Sequence, residues 1–186
     1  MALMASLIHE TIGEFQRNYI YKFFIETVPL YVRNTFPQAS SFQANVDLYN
    51  SKAVFPNRKT DRITIKWGGE FFEIPGVDAS NRQAQLVFYE DEPMWARDFF
   101  DACKDITGSQ LNQASVYSTE AKFNVGIAQV SVDKETIRAY KRLEGVRVYG
   151  VDVGDISKDG TEVNKLTIDI SWDRAQEDKS KRGQTV

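Results

Sequence analysis

Between residues 82 and 106 a strand runs directly into a helix, and no other stretch limits the possible folds so much. RQAQLVFYE is apolar and aromatic enough for a strand, and DEPMWARDFFDACKDI follows it without a linker. Asp91 suits the N-cap, where a carboxylate accepts a backbone N–H that the first turn leaves unpaired. Glu92 adds negative charge at the positive end of the helix dipole, and Pro93 suits an early position that needs no N–H. Trp95, Phe99, Ala102 and Ile106 recur at spacings of four, three and four, which places them on one face. Arg97, Asp98, Asp101, Lys104 and Asp105 fill the opposite, wet face, and Gly108 suits the stop. The rest of the chain reads as strands and loops. The expected fold is therefore mainly β, with one short amphipathic α-helix across a sheet.

Several other segments carry a readable period. Residues 19–32 are aromatic and β-branched with apolar residues on both faces, which predicts a central strand ending or bulging at Pro29. Residues 34–58 form a polar, extended loop region with one expected strand, Phe42 to Tyr49. In residues 62–74, Ile63, Ile65 and Trp67 alternate with Arg62, Thr64 and Lys66 ahead of Gly68-Gly69, the pattern of a hairpin. Polar residues 109–120 read as a loop, 123–132 as a strand, and 133–138 as a turn or brief helix. Strands at 146–153 and 163–172 flank ISKDGTE, where Asp159-Gly160 is a strong hairpin turn. In the second of these, Leu166, Ile168, Ile170 and Trp172 face one way and Lys165, Thr167, Asp169 and Ser171 the other. Trp95, Phe99, Ile106 and Trp172 are the expected core under the helix. Trp67 is also in the apolar phase of its strand, and core is its first reading too. Residues 1–174 are expected as a single domain, with 1–18 as an N-terminal arm or helix and 175–186 as a mobile polar tail.

Composition removes several functions. A net charge of -3 argues against a general phosphate binder, whose affinity comes from Lys and Arg. The single cysteine, Cys103, cannot form an internal disulfide and sits in the helix beside Ala102 as a small apolar residue. His9 is the only histidine, so a two-histidine metal site is excluded, and it is expected to face solvent. An EF-hand starting at Asp155 fails because its twelfth position is Leu166 and not Glu. Neither common phosphate-cradling glycine loop is present, and no carboxylate pair is placed in an apolar cleft. No catalytic residue, cofactor or metal is expected. No apolar run is long enough to span a membrane, and MALMASLIHE lacks the positive flank of a signal peptide.

Two blocks carry a family resemblance. One is DRITIKWGGEFFEIPGV with RQAQLVFYEDEPMWARDFFDAC, in which a strand ends in an acidic turn and enters a helix bearing Arg97 and Phe99-Phe100. The other is RLEGVRVYGVDVGDISKDGTEVNKLTIDISWDRA, whose last strand ends aromatic-Asp. They resemble the tail tube proteins of contractile-tailed bacteriophages, which are related to the inner-tube proteins of contractile injection systems. The resemblance implies an antiparallel β-sandwich or barrel-like subunit assembling into a hexameric β-barrel ring. Stacked rings would form a virion tail conduit for double-stranded DNA, assembled in the host cytoplasm. Partners would be the subunit itself, the tail sheath, and baseplate or tail-terminator proteins, with no membrane insertion. Lys165, Thr167, Asp169 and Ser171 would then be candidates to face the lumen. Other readings are a non-phage injection-system tube, or a monomeric β-sandwich binding module.

Overall fold

The computed structural model describes residues 21–56, 59–67, 69–78, 80–107, 122–132, 134–154 and 163–185. Its centre is a rolled antiparallel sheet ordered β1-β6-β7-β8-β5-β2. These strands are β1 (Tyr21–Thr27), β2 (Asn50–Lys52), β5 (Gln83–Tyr89), β6 (Phe123–Val130), β7 (Ile137–Asp152) and β8 (Lys165–Ser171). A short strand β9 (Arg174–Glu177) continues from β8 and pairs the same side of β7. A separate two-stranded ribbon is formed by β3 (Thr60–Trp67) and β4 (Glu70–Asp78). The helices are α1 (Leu30–Thr35), α2 (Ala39–Tyr49) and α3 (Trp95–Thr107).

β7 sets the shape. Its first part pairs β6 on one side and β9 on the other, and its second part pairs β8. Between them Gly145 takes φ +67°, a conformation that side chains other than glycine rarely adopt, and the strand turns from one half of the sheet into the other. The sheet rolls until its ends approach: Tyr21 on β1 donates to Asn50 Oδ1 on β2 at 2.7 Å, and Phe23 meets Phe88 with ring centroids 5.6 Å apart. β1 and β2 do not pair, so the roll stays open among the described residues.

The concave side holds the core. α3 packs on β7, and α2 lies along β1 and touches α3. Phe42 of α2 stands 4.9 Å from the Phe99 ring, Phe36 meets Phe99 at 6.4 Å, and Phe88 meets Phe100 at 4.8 Å. Leu86, Val125, Leu143, Val146, Leu166, Ile168 and Trp172 close the same cluster.

Several expectations need correction. The described residues form three α-helices, not one. Residues 42–49 form most of α2 instead of a strand, because Phe42 and Val46, one turn apart, are the residues the core accepts. The 34–58 region is thus largely structured. β1 is terminal in the described sheet and not central; its second apolar face is supplied by Phe24, which packs by Tyr140. β1 ends at Thr27 after a register shift, and Pro29 is the N-cap of α1. α3 starts at Trp95, after a turn in which Met94 N–H donates to Asp91 O at 3.0 Å. Asp91 still accepts the Trp95 N–H at 3.0 Å, but Pro93 lies in the turn and Met94 takes φ 57°. Residues 137–152 are one strand, so the turn expected at 133–138 has ended by Ile137. The polar end is not loose: β9 pairs β7, a 3-10 turn spans Lys179–Lys181, and Thr185 bridges Thr136. The N-terminal arm with His9, the 109–120 loop, Gly108 and the Asp159-Gly160 turn lie outside the described residues.

Candidate functional site

Two surfaces stand out, and neither has the form of a catalytic pocket. The first is the β3–β4 ribbon. Its pairing places Ile63 opposite Ile74 and Ile65 opposite Phe72, with Trp67 beside Gly69 at the turn, where φ is +94°. Alternation puts Ile63, Ile65, Trp67, Phe72 and Ile74 on one face. The other face carries an Arg62–Glu73 ion pair at 3.2 Å and Lys66 lying 5.6 Å over the Phe71 ring. The apolar face is uncovered: Trp67 is 78% exposed and Phe72 50%. Core was therefore the wrong location for Trp67. Isolated two-stranded ribbons are at best marginally stable, and a contiguous exposed apolar face marks a contact with something else.

The second surface is the convex face of the rolled sheet. Lys165 and Asp169 are exposed there and Thr167 and Ser171 half-buried, opposite buried Leu166, Ile168, Ile170 and Trp172. The same face of the neighbouring strands adds Gln85, which donates to Asp169 at 3.0 Å, together with Arg147 and Tyr149. A hydrogen bond from Ser171 and the nearby Arg147 hold the Tyr149 phenol below its ordinary pKa. Farther along, Glu26 accepts from Tyr140 Oη at 2.6 Å and from Arg142 Nε, with Lys181 Nζ at 3.8 Å. Lys181 also sits 4.2 Å over the Tyr140 ring, so the C-terminal segment is fastened to this face. Burial, and then the Glu26 carboxylate, push the Tyr140 phenol far up. This cluster could not be read from sequence, since its members lie on β1, β7 and the 3-10 turn. The face is mixed in charge, with Arg142, Arg147 and Lys165 beside Asp152 and Asp169.

Of the expected core residues, Phe99, Ile106 and Trp172 are buried in the main cluster, and Trp95 packs half-buried at its rim. Ala96, Phe100 and Cys103 share the buried face of α3, making it wider than the original spacing suggested. Burial drives the Cys103 thiol far above its ordinary pKa, so it is not a nucleophile. Burial also raises Asp101, despite Arg97 at 3.7 Å. Among the described residues no cluster of His, Cys, Asp and Glu could hold a metal, and no helix is long and apolar enough to cross a membrane.

No protein-family model matches the sequence, and no curated protein matches it significantly. Solved structures match it in fold. The tube terminating cap of the anti-feeding prophage aligns at TM-score 0.60 and 12% identity, over 89% of this chain and 92% of that one. A chain of the sheath-tube complex of the extracellular contractile injection system PVC, in its extended state, aligns at TM-score 0.57 and 13% identity, over 93% and 96%. The PVC sheath/tube terminator aligns at 0.53 and 11%, over 90% and 99%. The fold is thus shared with tube and tube-terminating proteins of contractile injection systems.

Proposed function

We propose that this protein is a structural, non-enzymatic subunit of the tube of a contractile machine, forming homohexameric rings that stack into a hollow conduit. The observation that carries this reading is the apolar face of the β3–β4 ribbon. Ile63, Ile65, Trp67, Phe72 and Ile74 have no cover within the described subunit, and a second copy in the same assembly is the partner always present to bury them. A monomeric binding module would leave this face in water. Shared fold with tube and terminator chains supports the same reading. The subunit would then meet a sheath along the outside of the tube and a baseplate or terminator at its ends, as part of an extracellular tail.

For the cargo, the first reading is double-stranded DNA in a phage tail, with Lys165, Thr167, Asp169 and Ser171 facing the lumen. The mixed charge of the convex face favours a second reading, a non-phage injection system. A wall carrying Arg142, Arg147 and Lys165 would hold phosphates by counterion release, whereas a DNA conduit benefits from a wall that does not.

The test is assembly. Purified full-length protein at rising concentration, examined by native mass and negative-stain microscopy, should form rings and end-to-end tubes. The double variant Trp67→Ser, Phe72→Ser should keep its fold and remain monomeric. Wild-type protein that stays monomeric at every concentration, also with baseplate components added, would refute the reading.

A further inference from the structure

The outer edge of β1 is the place where a second copy could add a strand, and α2 already occupies it. Asp47 Oδ1 accepts the Phe23 N–H at 2.7 Å, and Gln43 Nε2 donates to Ile25 O at 2.8 Å and Glu26 O at 3.2 Å. Phe23 and Ile25 are separated by one residue, so their outward backbone groups repeat along the strand about every 6.6 Å. Gln43 and Asp47 are one helical turn apart and advance about 6 Å along their axis. Their side chains therefore step nearly in phase with the groups they satisfy. In this way the helix imitates the hydrogen bonding of a neighbouring strand.

α2 has little holding it together from within. Neither end carries a side-chain cap, its first turn has no acidic residue, and its last turn has no basic one. Ser40, Ser41, Asn45, Val46 and Tyr49 are indifferent helix formers. Phe42, Ala44, Val46 and Leu48 alternate as a strand would, and Leu48 is left 78% exposed on the helix. Its position is fixed by Phe42 and Val46 in the core and by the two side chains on β1.

We propose that α2 is an edge guard, in which Gln43 and Asp47 hold the hydrogen-bonding positions on β1 that a strand of a second copy would otherwise take. Unguarded edges are a common route to uncontrolled association, and covering one with a helix is an established remedy. The guard shuts lateral pairing through β1. The inference concerns the free subunit and does not rest on the tube reading.

The experiment uses the full chain in the Trp67→Ser, Phe72→Ser background, which silences the ribbon and isolates the edge. Gln43→Ala with Asp47→Ala is compared with its parent by amide exchange at Phe23 and by light scattering at rising concentration. At low concentration the Phe23 amide should exchange roughly tenfold faster or more, the change expected for losing one charge-assisted hydrogen bond. At higher concentration the protein should grow beyond a monomer and the Phe23 amide should become protected again. Asp47→Asn, which keeps the acceptor oxygen, should restore the monomer. Unchanged Phe23 exchange, or fast exchange in a protein that stays monomeric throughout, overturns the proposal. If the double alanine variant unfolds, Gln43→Ala alone decides the matter, since it opens Ile25 O while Asp47 keeps α2 in place.

Discussion

Gly126 on β6 lies under the Tyr140 ring, and adding one methyl group there tests the whole cluster on the convex face. A Cβ built at Gly126 would fall within 2.5 Å of Tyr140 Cζ and closer still to the phenol oxygen. The ring is rigid and buried, and it is flanked by Phe24 and Lys181, so it cannot yield by a small rotation. Gly126→Ala must displace it and break the Tyr140–Glu26 bond. A hydrogen bond to a charged group contributes about 1.5–3 kcal/mol, and overpacking a fitted site costs about 1–3 kcal/mol. Part of this is offset, because Ala suits a strand interior better than Gly by about 0.5–1 kcal/mol. The net expectation is a loss of about 1.5–5.5 kcal/mol.

Urea denaturation measures it, in the ribbon-silenced background so that unfolding is not coupled to assembly. The midpoint should fall with the m-value unchanged. For a chain of this size the melting temperature should drop by about 3–20 °C. The mechanism is isolated by repeating the substitution in Tyr140→Ala. With the ring gone the three atoms nearest the added methyl are removed, and Gly126→Ala should be neutral or stabilising there, by up to about 1 kcal/mol. An equal loss in both backgrounds would show that the glycine is needed for its backbone and not for the Tyr140 ring, and the account of the cluster would fall.

Other expected outcomes follow from the same packing. Phe99→Ala should lose about 3–5 kcal/mol of stability in the same assay, whereas Trp95→Ala at the rim should lose visibly less; equal losses would mean that α3 sits deeper than described. Met94→Gly should raise the melting temperature, because the left-handed conformation costs a residue with a Cβ about 1–2 kcal/mol, and a lowered value would show that the Met94 side chain matters more than its backbone. The Ser180 hydroxyl and amide hold the Asp178 carboxyl below its ordinary pKa. Its contribution is therefore present above the unfolded value, about 3.9, and lost as pH falls through the lower folded value, so Asp178→Ala should differ from wild type at pH 7 and converge with it in acid melts. Asp169→Lys should leave monomer stability within about 0.5 kcal/mol. In assembled tubes that conduct duplex DNA, it should steepen the salt dependence of DNA retention by about 0.9 in log–log slope per phosphate contact; no change would remove Asp169 from the channel wall.

Much of the scaffold was readable because its side chains alternate or wind with a clear period. The ribbon, β5, β6 and β8 all follow period two, and α3 follows the helical spacing of Phe99, Ala102 and Ile106. α2 was misread for a physical reason: Phe42, Ala44, Val46 and Leu48 satisfy period two, while the core takes only Phe42 and Val46, which also satisfy a helical turn. Local pattern was degenerate there, and the neighbouring β1 edge decided between the two. β9 was missed because Arg174, Ala175, Gln176 and Glu177 are all exposed and so carry no alternation. Its pairing is fixed by β7, which lies thirty residues earlier at Leu143 and Glu144.

Trp67 exposes a different limit. Its alternation with Ile63 and Ile65 correctly implied an amphipathic ribbon, and the assumption that followed placed the apolar face in the subunit's own core. An apolar period states that a face avoids water but not which molecule covers it. Leu166, Ile168 and Ile170 carry the same signal as Ile63, Ile65 and Trp67. The first set is covered because β8 is flanked by β5 and β7 and rolled toward α3. The second is bare because its ribbon leaves the sheet between β2 and β5 and, among the described residues, pairs only with itself. The two differ in topology, and it is topology that turns a core-like pattern into an exposed apolar surface.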